Sequence, residues 1–210
     1  MPVDIAIFAR APVAGAAKTR LIPRLGAEAA AALQHALIHR ALRTAVAANV
    51  GSVSLWCAPN CEHPALVGCS KQFGVFLYPQ HGSDLGVRMF DAFTRLCRQG
   101  DAIVIGTDCP ALTAAELRTA AEALREGNDA VFVPAEDGGY VLVGLRHAIA
   151  SLFCGIPWGT NGVMDHTRTR LRDAGLRWDE LPASWDVDRP GDIDRLRASG
   201  LMAEPVGAME

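Results

Sequence analysis

Short, almost wholly apolar runs alternate along this chain with longer stretches in which apolar residues recur every three to four positions. Residues 3–8 form the first such run and predict a buried strand, followed by a turn punctuated by Pro12 and Gly15. Across residues 26–49, Leu33, Leu37, Ala41, Leu42, Ala45 and Val46 fall on one helical stripe, and Gly51 stops the helix. Residues 52–57 and 75–78 are β-branched or aromatic runs bounded by Gly, Pro and Asn, which read as the second and third strands. Residues 85–98 return to helical spacing through Leu85, Met89, Ala92, Phe93 and Leu96, closed by Gly100. A fourth strand is expected at 102–106, and a helix at 113–126 opens with Thr113 and Glu116 at capping-box spacing. Strands at 130–134 and 140–145, a helix at 163–174, a short strand at 177–181 and a closing helix at 192–199 complete the series.

Strands that read as continuous apolar runs are those covered by helices on both faces, so the alternation predicts a three-layer α/β/α domain. One domain is expected over residues 1–200, with a loose tail at 201–210, because 210 residues without a composition break suit one core. In open, largely parallel sheets ligands gather at the carboxyl ends of strands, where the strand order reverses. The loops after Phe8, Tyr78, Gly106 and Pro134 are therefore the places to look for chemistry.

Composition narrows the partners. Half the residues are hydrophobic, and the formal net charge of −3 gives no global basic field for nucleic acid or an anionic membrane. No stretch of about 18 apolar residues and no cationic, apolar leader occur, so a soluble cytoplasmic protein without a membrane span is expected. Six cysteines, none in a Cys-x-x-Cys pair, read as reduced thiols. Cys57, Cys61, His63 and Cys69 suit zinc by residue type but match no standard spacing. His35 and His39, four apart, could chelate a metal but read as a surface-facing pair on an Ala-rich helix.

The loop after the first strand, Arg10-Ala11-Pro12-Val13-Ala14-Gly15-Ala16-Ala17-Lys18-Thr19-Arg20-Leu21, gathers three cations around a backbone shaped by Pro12 and Gly15. That composition suits amides and cationic groups wrapped around phosphates. A Walker loop is disfavoured, since Ala17 stands where the glycine before the lysine should be. After the fourth strand, Gly106-Thr107-Asp108-Cys109-Pro110 delivers an aspartate that could ligate Mg²⁺ or cap the next turn. Gln80, Gly82, Asp84 and Arg88 lie where a Gly-containing turn meets a helix start, a place for an anion or a base edge. Asp137-Gly138-Gly139-Tyr140 is either an acceptor pocket, with Glu136 and Asp137 taking hydroxyls, or a tight β-turn. Trp158 to Asn161 reads as an indole packed under a turn.

These motifs, together with Asp186-Val187-Asp188-Arg189-Pro190 and in this order over about residues 3–197, resemble one group of proteins. It is the GT-A-like "transferase 1" family found near radical-SAM selenodomain proteins, similar to molybdenum-cofactor guanylyltransferase and 2-phospholactate guanylyltransferase. The resemblance implies a GT-A (nucleotide-diphospho-sugar transferase-like) single domain with a mixed, mostly parallel sheet. It implies Lys18, with Arg20, neutralising nucleotide phosphates within a nucleotide site of Arg10, Ala11, Pro12, Gly15, Lys18, Arg20, Gln80, Gly82, Asp84 and Arg88. Asp108 and Asp188 would hold Mg²⁺ (or Mn²⁺), Lys18 and Asp108 would be catalytic, and Asp137, Gly138, Gly139 and Tyr140 would bind the acceptor. The chain departs from the common form in having Arg10 for lysine and Arg189 before Pro190.

The expected activity is metal-dependent nucleotidyl or glycosyl transfer from a nucleoside triphosphate or nucleotide sugar to a small acceptor. Such transfer needs positioning and charge neutralisation more than covalent help. A nucleotide-binding module without turnover is the competing class, and base, acceptor and oligomeric state stay open.

Overall fold

The structure, a computed structural model, describes residues 2–202; the remainder of the expected C-terminal tail, 203–210, lies outside the described residues. Seven strands form one sheet: β1 (Val3–Arg10), β2 (Val53–Ala58), β3 (Phe76–Pro79), β4 (Asp101–Gly106), β5 (Ala130–Pro134), β6 (Tyr140–Leu145) and β7 (Trp178–Glu180). Their order across the sheet is β3-β2-β1-β4-β6-β5-β7. Every neighbouring pair is parallel except those made by β6, which runs antiparallel to both β4 and β5. The sheet is thus mixed and mostly parallel, as the resemblance implies.

The helices are α1 (Ile22–Leu25), α2 (Ala27–Ala48), α3 (Pro64–Phe73), α4 (Leu85–Leu96), α5 (Ala114–Arg125), α6 (Val163–Asp173) and α7 (Asp192–Ser199). Strand alternation sorts the core into two layers. Val3, Ile5, Ile7 and Ala9 of β1 face one side, where they meet Ile38, Leu42 and Ala45 of α2, Leu66 and Cys69 of α3, and Leu117 and Leu124 of α5. Ala6 faces the other, with Met89 and Phe93 of α4 and Met164 and Leu171 of α6. Both faces are covered, which is why β1 and β4 read as unbroken apolar runs.

Element boundaries fall within about two residues of the sequence expectation, apart from α1 and α3, which periodicity did not reveal. The capping box of α5 is present in full: Thr113 Oγ1 accepts from the Glu116 amide at 3.2 Å and Glu116 accepts from the Thr113 amide at 2.8 Å. The absence of α3 from the sequence reading has a physical cause. Its cap is the imidazole of His63, whose Nδ1 accepts from the Ala65 amide, rather than a Ser, Thr, Asp or Asn, and Gly68 on its exposed face lowers the helix propensity of a ten-residue segment. With α3 in place, His35 and His39 are half-buried against it instead of facing solvent, a correction taken up below.

Candidate active site

The chain leaves β1 to build β2 and β3 on one side, then returns to lay β4 on the other. The carboxyl ends of β1 and β4 therefore diverge at the switch point of the sheet, where a crevice opens. A cavity of about 860 Å³ lies there, within the range of small-ligand sites. Because β6 runs the opposite way, its first residues, Tyr140 and Val141, come to the same rim.

The loop after β1 is pinned at both ends. Ala11 donates to the Ala58 carbonyl, and the amides of Ala16 and Ala17 return to Val13. Ala17 is fully buried while residues 13–16 are exposed, so the loop stands up from a fixed base. Lys18 follows in the left-handed region at φ 48°, a conformation that costs a non-glycine residue about 1–3 kcal/mol and persists where surroundings impose it. Its side chain, only 4% exposed, extends to Asp108 with Nζ 2.8 Å from Oδ1, and also donates to the Val187 carbonyl at 2.6 Å.

Asp108 is held from three directions. Lys18 pairs with one carboxylate oxygen, Thr107 Oγ1 donates to the same oxygen at 3.0 Å, and the Asp108 carbonyl accepts from the Val187 amide at 2.8 Å. Thr107 is in turn held by Gln34 Nε2 at 3.2 Å, which also reaches the Arg10 carbonyl. Gln34 is 3% exposed and lines the cavity. Sequence reasoning missed it, because a glutamine on an amphipathic helix carries no mark that its amide ties β1 to β4.

The third arm comes from the far end of the chain. Val187 is fully buried with Leu21, Ile193 and Leu196, and its two flanking aspartates, Asp186 and Asp188, line the cavity. Arg20 forms an ion pair with Asp188. Asp192 of α7 accepts from the amides of Asp188 and Arg189, at 3.0 and 2.6 Å, fixing the turn that follows. Asp186 is pushed up to about 6, first by burial and then by the charges of Asp137, Asp108 and Asp188. Lys18 and Arg20 neutralise Asp108 and Asp188, whereas the groups acting on Asp186 from other residues are carboxylates.

The opposite rim is basic and apolar. It is lined by Arg10 from the end of β1 and by Leu85 and Arg88 at the start of α4, whose N-cap Asp84 accepts from the Val87 amide at 2.9 Å. Arg88 Nε donates to the Gly82 carbonyl, setting the loop before the helix. Gln80 Nε2 donates to the Trp56 carbonyl at 2.8 Å and, at 3.4 Å, to that of Ala9, so its amide bridges two strand ends.

The structure brings Arg10, Lys18, Arg20, Gln80, Asp84, Arg88, Asp108, Tyr140 and Asp188 of the expected site to one cavity, with Asp186 added. Ala11, Pro12, Gly15, Gly82, Asp137, Gly138 and Gly139 are not among its lining residues. The Asp137 carboxylate accepts from the Gly139 amide at 3.0 Å within the turn between β5 and β6. Gly138, at φ 92°, lies so close to Asn161 that a Cβ there would fall 2.0 Å from its carbonyl oxygen. Glu136, expected to face hydroxyls, is tied to Arg195 of α7 by two hydrogen bonds of 2.5 and 2.9 Å. Trp158, partly buried, packs edge-on to Tyr140 at 6.3 Å and so supports the rim, in keeping with an indole packed under a turn.

Comparison with solved structures places this architecture. A protein of Desulfovibrio desulfuricans G20, provisionally assigned as a nucleotide-diphospho-sugar transferase, superposes with a TM-score of 0.86 at 28% identity, over 95% of this chain and 88% of that one. A cytidylyltransferase of Leptospira borgpetersenii superposes at 0.65 with 14% identity, over 95% and 87% of the two chains. A CMP:2-keto-3-deoxy-manno-octonic acid synthetase complexed with CTP gives 0.62 with 12% identity, over 97% and 100%. The fold is that of the nucleotide-diphospho-sugar transferases. No curated protein matches the chain in sequence. The family model that does match spans residues 41–160, more than half of the 210, and carries the strand-end motifs of Gln80, Asp108 and Tyr140. The chain belongs to the family of uncharacterized proteins conserved in bacteria designated DUF2064.

Proposed function

We propose that this protein is a metal-dependent transferase that takes a nucleoside triphosphate or nucleotide sugar and passes its nucleotidyl or glycosyl group to a small acceptor. The observation that carries the reading is the meeting of Lys18, Asp108, Asp186 and Asp188, from opposite ends of the chain, at the switch point of the sheet. The fold shared with the Desulfovibrio protein and with cytidylyltransferases supports it.

The chemistry of the carboxylates that line the cavity, Asp108, Asp186 and Asp188, suits a hard divalent cation. All three offer only oxygen, and the pKa of Asp186 is raised first by burial and then by the charges of the neighbouring carboxylates, which a bound cation would offset. Mg²⁺ or Mn²⁺ held by Asp108 and Asp188, with Asp186 beside them, would supply charge stabilisation at the transferring phosphate. Lys18 offers a fixed, largely desolvated ammonium that would stabilise charge building on the departing phosphate. Arg20, far more exposed, is free to trade its contact with Asp188 for a phosphate oxygen. Arg10 and Arg88, with the amino end of α4, offer the basic rim for the rest of the phosphate chain. Tyr140, which lines the cavity beside Met89 of α4, would meet the acceptor. No protein base is required, because in-line phosphoryl-type transfer is governed by positioning and charge.

The test is a product screen with Mg²⁺ across the four nucleoside triphosphates and common nucleotide sugars against phosphorylated and hydroxylated small acceptors. The sequence resemblance to guanylyltransferases places GTP first in that panel, and the CTP-bound relative of the same fold places CTP second. Pyrophosphate release identifies nucleotidyl transfer, and nucleoside diphosphate release identifies glycosyl transfer. Nucleotide binding indifferent to chelator and to Asp108→Ala, without turnover, overturns the assignment in favour of a binding module.

A further inference from the structure

The junction of α2 and α3, distinct from the cavity, holds two imidazoles and a thiol that the transferase reading does not use. One helical turn separates His35 from His39 on α2, and their rings meet edge to face with centroids 4.7 Å apart. Cys69 comes from α3, with Sγ 4.0 Å from His35 Nε2. One ligand atom from each of His35, His39 and Cys69 lies within 4.8 Å of those of the other two. Cys69 is 1% exposed, and both histidines are half-buried, His39 also packing against Phe73.

We propose that His35, His39 and Cys69 form a second metal site, selective for a borderline-soft cation of the zinc type, that staples α3 to α2. Metal–nitrogen bonds of about 2.0–2.1 Å and metal–sulfur bonds of about 2.3 Å imply ligand atoms roughly 3.3–3.7 Å apart in a tetrahedron. Side-chain rotation of about 1 Å closes that gap without moving either helix. Aliphatic side chains would pack this seam with no polar atoms to satisfy; imidazole and thiol groups at these three positions supply the nitrogen and sulfur donors that zinc prefers. On binding, the Cys69 thiol releases its proton to solvent and coordinates as thiolate, and water completes the shell. The three aspartates of the cavity offer oxygen and this cluster nitrogen and sulfur, so the two sites would sort hard from soft cations.

Cobalt(II) provides an optical probe of the reduced full-length chain, used in an Asp108→Asn background to silence the carboxylate site. One cobalt per chain is expected, with a thiolate charge-transfer band and tetrahedral d–d absorption, displaced by an equivalent of zinc. In urea just below the unfolding transition, where the seam opens and the buried thiol becomes reachable, zinc should also protect Cys69 from alkylation, as mapped by mass spectrometry. Cys69→Ser should abolish the charge-transfer band. His39→Gln, which leaves the buried thiol in place, should weaken zinc binding on the order of ten-fold or more. No band with excess cobalt, a band that survives Cys69→Ser, alkylation of Cys69 indifferent to zinc, or unchanged zinc affinity in His39→Gln overturns the proposal. If circular dichroism shows that Cys69→Ser does not fold, the His39→Gln affinity and the alkylation result decide.

Discussion

Lys18 combines a strained backbone with a buried charge, and the two features can be separated by mutation. Its φ of 48° disfavours any residue with a Cβ, whereas its ammonium bridges Asp108 and the Val187 carbonyl. Lys18→Ala keeps the strain and loses the bridge; Lys18→Gly loses both. The glycine variant should therefore be the more stable of the two by about 1 kcal/mol in urea unfolding, since it alone relieves the left-handed penalty. Both should lose turnover by roughly 10²–10³-fold, the scale set by removing one preorganised charge-stabilising donor. Equal stability of the two variants would show that the backbone there is not strained, and retained turnover would remove Lys18 from the chemistry.

Asp186 gives a second prediction with a defined sign. Its folded-state pKa of about 6 lies above the ordinary aspartate value, so between the two the native state holds more protons than the unfolded one. Stability falls as pH rises through that window, then levels off. Asp186→Asn lacks this penalty, and its melting temperature should exceed that of the native chain at pH 7 but not at pH 4. Added Mg²⁺ should raise the native protein at pH 7 and close the difference. A gap independent of pH would mean that charge at Asp186 is not what the substitution removes.

At the scale of elements, the clearest local signal in the sequence was the Thr113–Glu116 box, and it predicts its own energetics. Thr113→Ala should destabilise by about 1 kcal/mol, read as a lower denaturant midpoint with unchanged slope, because α5 loses a cap without exposing core. Long helices and central strands were legible for the same reason: their pattern repeats often enough to overcome any single residue. The ten residues of α3 were not, because an imidazole cap and Gly68 erase the usual marks. That omission propagated to the histidines, since whether His35 and His39 face solvent depends on a helix some thirty residues away. The site was legible wherever a strand end carries its motif, as at Asp108, and illegible at Gln34, whose role depends on a threonine 73 positions away.

The whole molecule adds what no local pattern contains, the return of the chain end to its beginning. Lys18 and Val187 are 169 positions apart, yet the lysine, the Val187 carbonyl and amide, and Asp108 interlock through three contacts. Fully buried Val187 seats this strap against Leu21, Ile193 and Leu196, and its neighbours Asp186 and Asp188 line the cavity together with Asp108. If the proposed cation site depends on that seating, a cavity beneath the strap should disturb metal binding out of proportion to its effect on stability. Val187→Ala and Val133→Ala remove the same atoms from fully buried positions, the second within β5 of the central sheet. Each should cost about 2 kcal/mol. Only Val187→Ala should raise the Mg²⁺ concentration needed for half-maximal nucleotide binding, by on the order of ten-fold, equivalent to about 1.4 kcal/mol of lost positioning. Calorimetric titration of both variants beside the native chain makes the comparison. A common shift would assign the effect to global softening, and no shift in either would show that Asp186 and Asp188 are positioned independently of Val187.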